Sequence, residues 1–337
     1  MAAGYEKRFS RTVALKGCQL VTVRSAGEDD LEDMSRIAYE AFFRFNTSKG
    51  LKVPFPPREE RDLFKGFFST RLHGGSPALV ACDGSSGVCL GSVVCDTRGE
   101  QCCGIGPISV DPAHQGRGIG RALMTAIMDH VKDAHDKPVT FRLTQVVANA
   151  ASFSLYASLG FNACANLLEL HGLPSQFSDH MTGHSQASSV EVRRATVEDV
   201  AGCDMLMQAA HGGNMGRSNE IHDAVTHGQD VHGWHVYVMT DSKDSSVIAY
   251  TTGLHVFGHT VARNEVTFQM FLERLSVEVV ESEKGKCRLH IDPVCYPDLI
   301  CWMLAKGMRV EKQHTMMTMG CYTAPVDPHV YCPTTDY

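Results

Sequence analysis

Along the first 172 residues, two kinds of apolar pattern take turns. Strand-like runs fall at residues 20–24, 78–82, 88–97, 103–110, 139–147 and 162–171, and helical patterns fill 29–43, 58–70, 119–133 and 150–159. The turn Asp83-Gly-Ser-Ser-Gly87 separates two of the strands, and a Pro-rich loop covers 53–57. Strands and helices in alternation, with hairpins early in the chain, predict a mixed α/β sheet.

The pattern then starts again. Val21-Thr-Val-Arg-Ser-Ala-Gly-Glu-Asp-Asp-Leu31 aligns without a gap on Val190-Glu-Val-Arg-Arg-Ala-Thr-Val-Glu-Asp-Val200, a spacing of 169 residues. That period is far too long for a solenoid and reads as a duplicated domain. In both copies a strand turns through acids into a helix start, and Thr196 with Asp199 resembles a capping box. The polar stretch 173–189 reads as a linker. The expected division is therefore 1–172, a linker over 173–189, a second domain over 190–322, and a tail over 323–337. The tail holds three prolines and is expected to drape over a surface.

Composition fits this picture. A length of 337 residues suits two domains, and 43% apolar with 20% charged side chains lets each bury a core. The net charge of −7 is uneven: residues 1–172 carry 19 basic and 18 acidic side chains, and the rest carry 12 and 20. An acidic second half argues against nucleic acid, whose phosphates need clustered Lys and Arg. Thirteen cysteines without a CxxC read as reduced thiols, hence a cytoplasmic or nuclear protein. No run of 18 apolar residues predicts a membrane span. The basic start, Met1 to Arg24, reads as a frayed terminus, with a transit peptide as the alternative. Seventeen histidines offer no HxxxH or HExxH on a credible helix, so no metal is expected.

One segment carries chemistry. A strand ends near Val110, Pro112 stops its pairing, and glycines follow at 116, 118 and 120 before a helix with Leu123, Ile127 and Val131 on one face. Free N–H groups at a helix start favour an anion, and Arg117 and Arg121 add charge. The loop lacks the Gly-Lys-Ser/Thr of a P-loop, and its spacing misses the last step of GxGxxG. It reads as a pyrophosphate cradle of another kind. Gln115-Gly-Arg-Gly-Ile-Gly120 resembles the Q/R-x-x-G-x-G/A motif of the GNAT superfamily of N-acetyltransferases. Downstream, Asn149-Ala-Ala-Ser-Phe-Ser-Leu-Tyr-Ala-Ser-Leu-Gly-Phe161 resembles that family's N-x-x-(A/S)-x-x-x-Y-x-x-x-G-F segment. Asn149, Ser152 and Tyr156 share one helix face.

The resemblance implies two GNAT-like domains, each a mixed, mainly antiparallel twisted sheet flanked by helices, with acetyl-CoA as cosubstrate. It implies that the loop Gln115, Gly116, Arg117, Gly118, Ile119, Gly120 and Arg121 holds the pyrophosphate. It also implies that Ile108, Ser109 and Val110 form a bulged strand for the pantetheine arm, with coenzyme contacts at Asn149 and Ser152. Tyr156 is then the acid for the leaving thiolate; the competing reading is a packed aromatic. Glu40, Asp96 and Asp111 are candidates for a general base, and His114 points to solvent. Aligning Gly307 with Gly160 sets Met303 opposite Tyr156 and Tyr296 opposite Asn149, and no glycine loop precedes the helical stretch 265–275. The second unit is thus a degenerate copy without a coenzyme site. Of Phe42, Phe43, Phe45, Phe55, Phe64, Phe67 and Phe68, some are expected in the core, since spacing such as Phe64 to Phe68 puts them on one helical face, and the rest, with the loop 53–57, are expected to wall an acceptor site in the cleft between the units. That favours a small primary amine over a protein lysine or N-terminus. A reading from another class is an acetyl-CoA-binding regulatory module without turnover.

Overall fold

The computed structural model describes residues 8–15, 19–52, 57–99, 102–180, 189–213, 215–232, 235–279 and 287–335. The first half runs β1 (Ser10–Ala14), β2 (Leu20–Ser25), α1 (Leu31–Ser48), α2 (Pro57–His73), β3 (Ala78–Asp83), β4 (Cys89–Asp96), β5 (Cys102–Val110), α3 (Ile119–Asp133), β6 (Thr140–Val146), α4 (Ala150–Ser158) and β7 (Asn162–Gly172). Two boundaries differ from expectation. α1 continues to Ser48, and β1 is an ordered edge strand paired with β2, where a frayed end was expected.

The layers follow from the alternation of strand side chains. In β3, Leu79 and Ala81 pack with Leu123, Ile127 and Val131 of α3 on one face, while Val80 and Cys82 pack with Met34 and Ile37 of α1 and with Phe64 and Phe68 of α2 on the other. Helices cover both faces, so β3 and β4 read as nearly continuous apolar runs. Each fully buried Leu or Ile contributes roughly 1.5–3 kcal/mol.

The second half repeats the order: β8 (Val190–Arg194), α5 (Val200–Ala210), α6 (Ser218–His232), β9 (Tyr237–Asp241), β10 (Val247–Thr251), β11 (Thr260–Ala262), α7 (Glu265–Val279), β12 (Cys287–Ile291), α8 (Pro297–Ala305), β13 (Arg309–Met319) and β14 (Val330–Cys332). The sequence repeat has a structural reason. Arg24 grips Asp30 through two 2.8 Å bonds, and Asp30 accepts from Gly27 N. Arg193 grips Asp199 in the same way, and Asp199 accepts from Thr196 N as the capping pattern predicts. Each Arg–Asp fork ties its strand, β2 or β8, to the following helix start.

The halves are joined by exchange. One sheet has the order β1-β2-β3-β4-β5-β6-β13-β7-β12, the other β14-β11-β10-β9-β8. β13, from the second half, lies antiparallel between β6 and β7, and β7 reaches across to pair with β12. A chain division at 173–189 therefore separates segments but not sheets. The linker starts with a turn of 3-10 helix, Pro174–His180, whose Phe177 is buried in the second half's core and stacks on Trp302 at 5.6 Å. Within the tail, residues 330–332 do not drape over a surface. They form β14, with Val330, Tyr331 and Cys332 all buried.

Candidate active site

Pairing between β5 and β6 is parallel and covers only Cys102–Gly104 against Thr140–Arg142. Beyond Gly104 the strands part. On the other side β5 keeps β4, with an irregularity between Ile105 and Ile108, where Pro107 has no N–H to offer a ladder. Asp111 N donates to Leu90 O, so the facing pair Val110–Gly91 is one without direct ladder bonds. By alternation Ser109 bonds β4, while the N–H groups of Ile108 and Val110 point into the gap. Ser109 also turns its hydroxyl to Ser92, at 3.4 Å. Of the three residues expected to meet a pantetheine arm, Ile108 and Val110 face the gap through their backbone and Ser109 does not.

At the wide end of the gap stands the glycine loop. Gly116 and Gly118 have φ of +78° and +100°, a region that disfavours any Cβ. Gly118 is the N-cap of α3 and offers no side-chain cap. The first bond of the helix runs from Ala122 N to Gly118 O, so α3 leaves the N–H groups of Ile119, Gly120 and Arg121 free to face an anion. Gln115 does not reach outward; its Nε2 donates to Val110 O at 3.0 Å and folds the loop onto β5. Arg117 bonds Ala113 O, and Arg121 bonds Ser158 Oγ at 2.6 Å, tying the start of α3 to the end of α4.

α4 presents the second expected motif. Asn149, half-buried, is its N-cap and accepts from Ser152 N at 3.2 Å, so Asn149 has a structural task. Tyr156, further along α4, is buried with its ring 6.2 Å from Phe161. Burial pushes its hydroxyl up to about 12, against a smaller opposing hydrogen bond from Ser152. The group keeps its proton at neutral pH.

The carboxylates considered as bases are all engaged. Asp96, at the end of β4, is buried between Arg71 and Arg98, with Arg98 Nε at 2.9 Å. Glu40 lies 3.4 Å from Arg36, and Asp111 lies 3.9 Å from the same guanidinium and caps Ala113 N. His114 Nδ1 sits 3.4 Å from Asp111 rather than standing free in solvent. Asp96 pairs with Gly104 at the closed end of the gap. Beyond it a cavity of about 480 Å³ lies between α2 and α6, lined by Arg71, Arg98, Asp223, His227, Phe67 and Phe257 among others. Of the expected phenylalanine wall, only Phe67 lines this cavity, with its ring 4.9 Å from Phe257 of the second half. Phe64 and Phe68 are core, Phe42 stacks on Phe64, Phe43 is exposed, Phe45 is half-buried, and Phe55 lies outside the described residues.

The second half has the same parts, closed. Arg263 N donates to Ile248 O as Asp111 N does to Leu90 O, which makes Thr260 and Ala262 the counterparts of Ile108 and Val110. Their outer edge is taken by β14, with Thr260 opposite Cys332 and Ala262 opposite Val330. Tyr296, at the N-cap of α8 where α4 has Asn149, donates to His329 O at 3.0 Å and accepts from Tyr331 N at 3.2 Å, so it holds β14 in place. The loop from 111 to 118 shrinks to Arg263–Asn264, and Asn264 caps α7 by accepting from Thr267 N at 2.8 Å. Sequence reading finds the loss of loop, Asn and Tyr in this half. It misses what replaces them, because a three-residue strand between prolines has no periodicity.

Residues 32–161 match the sequence profile of the Acetyltransferase (GNAT) family. An N-acetyltransferase of Methanocaldococcus jannaschii, itself uncharacterized, is 28% identical over 145 residues, which is 42% of this chain and 60% of the relative, so less than two thirds of that protein is covered. A candidate acetyltransferase from Pyrococcus horikoshii superposes with a TM-score of 0.66 at 16% identity, over 92% of each chain. The tandem GNAT protein from the clavulanic acid biosynthesis pathway superposes at 0.56 and 12% identity, over 90% of this chain and 99% of its own. At such identities the likeness establishes the fold, and it does so across both halves. Among the described residues no helix is long and apolar enough to cross a membrane. The sequence likeness to the GNAT acetyltransferase family thus lies in residues 32–161, the stretch that holds the glycine loop and α4.

Proposed function

We propose that the protein moves an acetyl group from acetyl-CoA to a small primary amine, at one site per chain, in the first half. The observation that carries this reading is the asymmetry between the halves. The β5 edge past Gly104 has no strand partner on the β6 side among the described residues, and α3 starts on an uncapped glycine; in the second half β14 and Asn264 fill both places. The residues present fit the coenzyme. N–H groups from Gly116 to Arg121, with Arg117 beside them, suit a pyrophosphate, and the Ile108 and Val110 amides suit an extended arm. Asn149 and Ser152 lie on the α4 face, although Asn149 is also that helix's cap. Bound acetyl-CoA supplies the activated acetyl group. The β5 amides facing the gap would stabilise negative charge on its carbonyl oxygen. Tyr156, protonated at neutral pH, would hand a proton to the departing thiolate.

The amine is assigned to the cavity between α2 and α6. Phe67 and Phe257 offer an apolar wall, and Asp223, 41% exposed and 3.3 Å from Arg98, offers a carboxylate to an ammonium. Glu40, Asp96 and Asp111 are each held by an arginine, so deprotonation falls to a water relay. That same engagement is what favours the non-catalytic reading of an acetyl-CoA-binding module. The free thiols among the described residues fit a cytoplasmic or nuclear setting. Calorimetry is expected to give one acetyl-CoA per chain, and two equal sites would overturn the asymmetric assignment. Thiol release screened against polyamines, arylalkylamines, amino acids and histone-like peptides is expected to favour small amines. Turnover confined to peptides would sink the acceptor assignment alone, and tight binding with no turnover on any amine would leave the binding module.

A further inference from the structure

The exchanged strands bring together three side chains that no local spacing connects. Glu169 of β7 stands opposite His290 of β12, and His314 of β13 lies on the same face one strand over. All three are buried, and one ligand atom from each lies within 4.8 Å of the others. His314 Nε2 is 2.8 Å from Glu169 Oε2, and His290 Nε2 is 3.9 Å from the same oxygen. The two imidazoles meet edge to face at 4.8 Å. His290 is 1% exposed, and neither of its ring nitrogens has a hydrogen-bond partner. Leaving a buried imidazole unpaired is costly. The surroundings are electron-rich. Arg288 is 3.2 Å from Glu169 and 3.6 Å from Glu311, one guanidinium against two buried carboxylates, and neither oxygen of Glu311 accepts a hydrogen bond.

The repeat does not impose this cluster. At the related crossing in the first half, Met316 pairs with Thr144 where Glu169 pairs with His290, and Leu167 stands opposite His314 itself. The fold tolerates apolar side chains and a threonine there, so the two histidines and the glutamate are a feature of one crossing only.

We propose that Glu169, His290 and His314 bind one divalent first-row transition-metal ion, with Zn²⁺ the best match, as a joint across the strands exchanged between the halves. Two imidazoles and a carboxylate are the donors such borderline ions take. Bonds of about 2.0–2.2 Å at a tetrahedral centre space the ligands by roughly 3.4 Å, between the two separations given above. Water takes the fourth position, reached past His171, which is 25% exposed and 3.6 Å from Glu311 at the rim of the cluster.

The test uses the full chain without a histidine tag. After dialysis against a chelator, the protein is expected to take up one equivalent of Zn²⁺, and Co²⁺ is expected to give the visible absorption of a low-coordinate nitrogen and oxygen site. Returning Zn²⁺ is expected to raise Tm in a concentration-dependent way. His290→Gln and Glu169→Gln are each expected to weaken Zn²⁺ binding by more than the roughly 10–100-fold that loss of an outer-shell partner causes. Two results overturn the proposal: wild-type protein that takes up no stoichiometric metal, or variants that keep the wild-type affinity. Either leaves a hydrogen-bonded histidine–carboxylate pair. Should the variants fail to fold, the wild-type titration decides alone.

Discussion

Tyr156 and the loop glycines are where a single atom decides. Burial raises the Tyr156 hydroxyl to about 12, so it remains a proton donor from neutrality to beyond pH 10. A pKa above the usual ~10 for tyrosine means the group favours the folded state up to about pH 10 and loses that contribution as pH climbs towards 12. Tyr156→Phe is expected to lower kcat by roughly 10²–10⁴-fold while acetyl-CoA affinity in calorimetry stays near wild type. Unchanged turnover from pH 6 to 9 would make it only a ring packed on Phe161. Gly118 and Gly120 separate fold from site. At Gly118, φ is +100°, so Gly118→Ala strains the backbone by roughly 1–2 kcal/mol and is expected to lower both Tm and coenzyme affinity. A Cβ on Gly120 would sit 3.4 Å from Leu155 and 3.8 Å from Val110, ordinary contacts. Gly120→Ala is therefore expected to keep its Tm, and a bulkier side chain there to obstruct the approach of a phosphate and raise the Kd for acetyl-CoA. These residues stand out in the sequence because their types are what the proposed chemistry requires. Ser109 is not, since which way a strand residue faces depends on where its ladder bonds begin.

Among the elements, β14 carries the contrast between the halves. Its partner Tyr296 bridges His329 O and Tyr331 N, and Tyr296→Phe leaves both without that hydroxyl. The expected cost is about 1–3 kcal/mol, read as a lower urea midpoint with unchanged slope. No second acetyl-CoA site is expected to open in that variant, because Asn264 still caps α7. A rise in calorimetric stoichiometry from one to two would show that β14 alone closes the second half. The paired motifs, the helices and most strands are legible because long periodic segments and fixed spacings survive without tertiary information. β14 is not, being three residues between Pro328 and Pro333. The arginine clamp on Asp96 is hidden for a different reason: Arg71 comes from α2, 25 residues away, and only packing brings it there.

At the scale of the molecule, the exchange of β7 and β13 makes the two halves one folding unit despite two runs of similar sequence. Period-two alternation says that a strand is half-buried and not which strand lies beside it, so the duplication is visible in the sequence and the crossing is not. Calorimetry of the full chain is expected to show one cooperative transition, with calorimetric and van't Hoff enthalpies equal; two separable transitions would mean independent halves. Residues 1–172 expressed alone lack β13 and leave β6 and β7 with unpaired edges. They are expected to dimerise or aggregate in size-exclusion chromatography. The same crossing sets a clock on biosynthesis. Arg309, which opens β13, lies 147 residues after Asn162, which opens β7. At about 5–20 residues per second the ribosome needs roughly 7–30 s to make that stretch. Throughout that interval the nascent first half carries its glycine loop and Tyr156, but its sheet has a strand-wide slot between β6 and β7 that only later synthesis fills.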